Sequence, residues 1–171
     1  IDTQGNQLPY IDKLYFTFLQ STESIVLKSL TGEDDMQFRY LSLANYTLLM
    51  ENREKGGYQV YMWPSAEIAA FYPNQNVKDP VLRKLFQDRR FRIALSLAVN
   101  RDEINSIGFL GLGKPHAATS VKGDPYYMEE FAKAYIEYDP KRANKLLDEI
   151  GLTKRDKEGF RLRPDGKTLA I

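Results

Sequence analysis

The order of hydrophobic periodicities predicts an α/β fold, with strands of a mixed sheet and crossover helices first and a helical cluster after them. Three observations carry that expectation. Apolar side chains alternate at period two over Ile11–Leu19, Met36–Tyr40, Tyr58–Trp63 and Glu67–Tyr72. A helical spacing separates the first two of these runs, which is the order of a right-handed strand–helix–strand crossover. From Asp79 to Gly151 helical spacing with start and stop signals takes over.

Element by element, Pro9 marks the entry to the first strand, where Leu14, Phe16 and Phe18 face one side and Tyr15, Thr17 and Leu19 the other. Ser21 or Thr22 caps a short helix carrying Ile25, Val26 and Leu30, and Gly32 suits the left-handed residue that ends it. After the short strand Met36–Tyr40, Ser42 opens a second helix bearing Leu43, Tyr46, Leu49, Met50 and Arg53, closed by Lys55-Gly56-Gly57 with a cation at the negative end of the dipole. The strands Tyr58–Trp63 and Glu67–Tyr72 flank Pro64-Ser65, and Pro73-Asn74-Gln75-Asn76 is a turn.

Asp79-Pro80 is a strong helix start, because the carboxylate accepts from first-turn amides while proline lacks only an amide that would be unpaired. Leu82, Leu85 and Phe86 form the apolar side of that helix. Asp88 caps the next, with Phe91, Ala94, Leu95 and Ala98 as its inward stripe, and Asn100 with Glu103 forms a capping box for a third. Residues 114–122 read as loop, and Tyr126–Tyr138 as a short aromatic-rich helix and turn. Asp139-Pro140 starts a helix whose Ala143, Leu146, Leu147 and Ile150 share a face and whose stop is Gly151. The turns Lys157-Glu158-Gly159 and Pro164-Asp165-Gly166 frame a hairpin strand Phe160–Leu162, and a further strand begins at Thr168.

Composition narrows the chemistry. The chain has 171 residues, 24 Lys+Arg against 23 Asp+Glu, one histidine and no cysteine. That length buries a core without disulfides or metal. Without cysteine there is no thiolate metal site, redox pair or thiol nucleophile, and His116 alone makes no multi-histidine centre. The charge balance leaves no basic footprint for nucleic acid. No stretch reaches the length of a membrane span. The sequence opens on Ile1-Asp2-Thr3 and closes on a strand that has just begun, so we expect a cut piece of a longer chain.

Several groups invite a functional reading. Asp156, Glu158, Gly159 and Asp165 resemble a calcium loop, but with Gly159 at the sixth position Lys154 falls where the first carboxylate is required. Arg89, Arg90, Arg92 and Arg101 beside Phe91 would suit a phosphate; Asp88, Asp102 and Glu103 interrupt their field, so an outer helix face is the better account. Glu33, Asp34 and Asp35 follow a helix-ending glycine with no basic partner in the sequence nearby, as in a solvated turn. Tyr58, Tyr61, Trp63, Phe71 and Tyr72 are either core or, with Tyr61 and Trp63 on the face opposite Tyr58 and Val60, the lining of a groove for an organic ligand.

The run Asp79-Pro80-Val81-Leu82-Arg83-Lys84-Leu85-Phe86-Gln87-Asp88-Arg89-Arg90-Phe91-Arg92-Ile93-Ala94-Leu95-Ser96-Leu97-Ala98-Val99-Asn100-Arg101-Asp102-Glu103-Ile104 closely resembles the helical signature of the family 5 extracellular solute-binding proteins, the peptide, nickel and oligosaccharide receptors of ABC importers. Three further matches keep the same order: Pro9 to Leu14 leading a strand, Gly111-Leu112-Gly113-Lys114-Pro115, and Tyr138-Asp139-Pro140 through Gly151-Leu152. The stretch Val81–Arg90 is longer than the turn usual before the Arg-Phe-Arg-x-Ala-Leu segment, which suggests a subgroup.

The resemblance implies a periplasmic-binding-protein-like fold of type II, present in part. Residues 1–66 would belong to the first lobe, and residues 67–171 would supply the hinge-crossing strand and the start of the second. It implies a non-enzymatic receptor without cofactor, periplasmic or extracellular, with or without a lipid anchor. Such a receptor captures a small peptide or an oligosaccharide and delivers it to an ABC permease in the membrane. On this mapping the strand ends Phe38, Arg39, Tyr40 and Ala70, Phe71, Tyr72 face the cleft; together with the groove aromatics this makes Arg39, Tyr40, Tyr61, Trp63 and Phe71 the expected ligand-facing residues. A different class, a carbohydrate-active enzyme using Glu33 or Asp35, requires two carboxyls facing each other across a cleft. An interaction domain without a small-molecule ligand would instead present a large apolar patch.

Overall fold

Five polar residues set where helices begin, and the computed structural model realises each of them. It describes residues 1–63 and 69–171, and the chain divides into two units, Ile1–Met62 and Trp63–Ile171. Part of the expected strand Glu67–Tyr72, with the Pro64-Ser65 bend, lies outside the described residues.

In the first unit, helix α1 (Thr22–Leu30) starts at Ser21, whose hydroxyl accepts from the Ser24 amide at 3.2 Å. Only Val26 of this helix is buried. Ser42 opens a 3₁₀ turn (Leu43–Asn45) before helix α2 (Tyr46–Gly56), so the single helix expected from Ser42 has a tighter first turn. Gly57 ends α2 in the left-handed conformation, φ 67°. The two helices close on one another at their C-terminal ends through glycine backbone. A Cβ at Gly32 would collide with the Gly56 carbonyl, and one at Gly56 would sit 2.6 Å from the Leu30 carbonyl oxygen.

The second unit holds helices α3 (Pro80–Gln87), α4 (Arg89–Leu97), α5 (Arg101–Gly108), α6 (Glu129–Ala132) and α7 (Pro140–Glu149). Asp79, Asp88, Asn100 and Asp139 cap α3, α4, α5 and α7, each side chain accepting from a first-turn amide. Helix α7 begins where α4 ends, with the Asp139 amide donating to the Leu97 carbonyl at 2.9 Å. The two then pack through Ala94, Leu97 and Ala143, the two alanines letting the helices approach and Leu97 filling the space between them. A second cluster joins Leu85 and Phe86 of α3, Phe91 of α4 and Leu152 beyond α7. The inward stripe of α4 is Phe91, Ala94 and Leu97, whereas the expected Ala98 is exposed, because the helix stops at Leu97 and the chain turns away.

Beyond α7 the two expected turns form. They bring Arg155 opposite Arg161 and Leu162 opposite Thr168 as single antiparallel bridges. Arg161, only 8% exposed, is the main tie there: its guanidinium donates to Asp148 at 2.6 Å, to the Asn144 side-chain oxygen at 2.7 Å and to the Leu152 carbonyl. A buried guanidinium needs that many acceptors to replace its lost water.

The sheet is where structure and expectation part. Among the described residues there is no paired strand; Ile11–Leu19, Met36–Tyr40 and Tyr58–Trp63 carry no ladder, and the fold is mostly helical. The physical reason is pairing. Alternation specifies which side chains share a face, but a strand exists only when another backbone takes up its N–H and C=O groups. Lacking one, Ile11–Leu19 exposes both faces, with Phe18 at 96% on one and Tyr15 at 86% on the other.

Candidate functional site

In the first unit the extended segment after Gly57 runs beside the end of α2 and leaves a shallow concavity of about 500 Å³. Met50, Arg53 and Glu54 of α2 form one wall, and Tyr58, Gln59, Val60 and Tyr61 the other. Gly57 makes this possible, since its positive φ reverses the chain directly after the last turn. Tyr58 anchors the reversal, its hydroxyl donating to the Leu49 carbonyl at 2.7 Å, and its partial burial raises the phenol's pKa. The Tyr61 hydroxyl meets the Gln59 side chain. Tyr58, Val60 and Tyr61 therefore line one concavity, where strict alternation would have put Tyr61 on the opposite face; without a ladder nothing enforces the pleat.

Arg39 and Tyr40 lie together, the guanidinium 6.0 Å from the ring centroid, and both are exposed. Tyr40 has φ 63°, an uncommon backbone state for a bulky residue. Trp63 and Phe71 belong to the second unit and are 70% and 82% exposed. Each of the five expected ligand-facing residues is thus exposed to solvent. Reading the sequence alone missed Met50, Arg53 and Glu54 as neighbours of Tyr61, because only the reversal at Gly57 brings α2 alongside it.

The competing sites resolve into local structure. Glu33 accepts from the Thr31 hydroxyl at 2.8 Å, Asp34 pairs with Lys28 at 3.2 Å, and Glu33 and Asp35 are exposed. They form the turn after α1, so the two-carboxylate enzyme reading fails. Asp156 is occupied by the amides of Glu158 and Phe160 and by the Thr168 hydroxyl, which makes it a hairpin residue. Among the described residues no cluster of three His, Asp or Glu side chains is arranged for a metal. No helix among them is long and apolar enough to cross a membrane. The His116 ring nitrogen Nδ1 lies 2.6 Å from the Ala117 carbonyl oxygen.

Comparison with known proteins bears on the whole arrangement. The model of the bacterial extracellular solute-binding proteins, family 5 Middle, matches residues 4–171. A probable ABC transporter-binding protein of Deinococcus radiodurans is 28% identical over 98% of this chain, which spans 29% of that relative. A solved structure of an oligopeptide-binding protein, OppA, is 51% identical over 87% of this chain with a TM-score of 0.68, and the chain spans 25% of it. The chain belongs to the bacterial extracellular solute-binding proteins of family 5, a family of binding proteins and not of enzymes.

Proposed function

We propose that the chain is part of an extracytoplasmic receptor of an ABC importer that captures small peptides and delivers them to a membrane permease. The observation that carries this reading is the 51% identity, at a TM-score of 0.68, to an oligopeptide-binding protein. The exposed residues support it. Arg39, Tyr40, Tyr61, Trp63 and Phe71 offer aromatic faces, a guanidinium and phenol groups, a set suited to a peptide's apolar side chains and carbonyls.

On this reading residues 1–66 serve one lobe, and residues 67–171 serve the hinge-crossing strand and the second lobe. The ligand shifts the receptor towards a closed state by touching both lobes, and by no more than the difference in its affinity for the two states. The receptor works in the periplasm or at the cell surface, with or without a lipid anchor. The test is the thermal unfolding of the complete receptor against panels of peptides and oligosaccharides. A ligand at about one hundred times its Kd adds roughly 2.7 kcal/mol. Peptides should raise the unfolding temperature and oligosaccharides should not. A response to oligosaccharides alone, or to neither panel, would overturn the reading.

A further inference from the structure

Four arginines crowd the sequence around Phe91, and the structure accounts for three of them. Arg90 is spent on Asp88 at 2.8 Å. Arg92 donates to the Phe86 carbonyl at 2.7 Å. Arg101 donates to the carbonyls of Ser96 and Ile136 and to the Ser96 hydroxyl, tying the end of α4 to the segment before α7. Arg89 remains, exposed and without a carboxylate in reach among the described residues.

Arg89 instead meets Tyr135. Its guanidinium lies 5.6 Å from the ring centroid and donates to the phenol oxygen at 2.9 Å. Arg142, on α7, approaches the same ring to 5.9 Å. Two like charges are thus gathered on one aromatic ring whose place is fixed. Tyr135 packs partly against the Ala94–Leu97–Ala143 cluster, its carbonyl accepts from the Ser96 hydroxyl at 2.7 Å, and its backbone sits at φ 55°. One acid answers the two cations, Glu137, which is bound to Arg142 at 2.7 Å.

Helical spacing carries the positive surface along α7. The buried Ala143 fixes that helix's inner side, so Lys141 and Lys145 fall opposite it and Arg142 on the flank that meets Tyr135; both lysines are exposed with no ion pair among the described residues, and Glu149 shares their side only at the helix's last turn. An excess of cations on a rigid ridge, with an aromatic platform at one end, complements a run of carboxylates. We propose that the ridge Arg89–Tyr135–Arg142, extended by Lys141 and Lys145, is a docking surface for an acidic segment of a partner protein. This assignment does not depend on which solute the receptor carries.

The test is a titration of the 171-residue chain with hexaglutamate at low salt, followed by the NMR signals of the Tyr135 ring and the α7 amides. Saturable shifts confined to these positions are expected, weakening steeply as salt rises. The double variant Arg89→Gln/Arg142→Gln should bind about tenfold more weakly, while Arg83→Gln, whose guanidinium is held by the Val77 and Lys78 carbonyls ahead of α3, should bind as the parent does. If the stacked arginines serve only to hold Tyr135, the double variant will unfold at lower temperature while hexaglutamate binds neither protein, and the proposal fails. It fails equally if inorganic phosphate saturates the ridge and hexaglutamate does not, or if both variants bind alike.

Discussion

Asp79 does two things with one carboxylate. One oxygen accepts from the amides of Val81 and Leu82 at 2.9 and 3.1 Å, starting α3, and the other meets Arg163 at 2.7 Å, tying that start to the far hairpin. The hydrogen bond from Arg163 and the two amides hold the Asp79 carboxyl below its ordinary pKa. The unfolded chain therefore binds a proton at a pH where the folded one does not, so this contribution is complete above the ordinary carboxylate range, about pH 4, and is lost as pH falls through the lower, folded value. Asp79→Asn keeps a capping oxygen but loses the ion pair. Its unfolding temperature should lie below the parent's at pH 7, and the gap should close towards pH 3; a gap constant with pH would contradict this account. At the core, Phe91 is fully buried, and Phe91→Ala should cost about 3–5 kcal/mol in denaturant unfolding. Gly32→Ala should destabilise the first unit, since φ 72° and the Gly56 carbonyl both oppose a Cβ.

At the scale of elements, what the sequence revealed depended on how far apart the deciding groups lie. A cap and the amides it serves are at most three residues apart, so Ser21, Asp79, Asp88, Asn100 and Asp139 could be read directly as starts. The α7 face was legible for the same reason. Strand pairing is not local: the alternation of Leu14, Tyr15, Phe16 and Phe18 describes what a strand would bury and is silent on its partner. The site divides in the same way. Arg39 and Tyr40 are neighbours in the chain, but the wall supplied by Met50 and Arg53 depends on a reversal at Gly57. Tyr135, one aromatic among several between 126 and 138, gave no sign of the two arginines that meet on it. Because the chain spans only 25% of the related solved structure, we expect residues 11–19 to gain a pairing partner in the complete receptor. Hydrogen exchange should be fast at 11–19 in the 171-residue chain and slow in the complete receptor; slow exchange in the short chain would contradict this.

Across the molecule the burial is uneven. The second unit contains both apolar clusters, with Phe91, Leu97 and Leu152 fully buried, whereas Val26 and Leu49 are the buried apolar residues described in the first. Residues 63–171 made alone should therefore unfold in one cooperative transition, and residues 1–62 made alone should show none. The surface of the first unit, rich in exposed Tyr, Phe and Met side chains, suits the proposed reading of this chain as part of a larger receptor. The measurement that bears most directly on that account is calorimetric titration of the complete receptor with short peptides. Saturable binding, reduced by Tyr61→Ala or Trp63→Ala with unfolding temperature unchanged, is the predicted result. Peptides that give no heat while an oligosaccharide saturates the protein would contradict it.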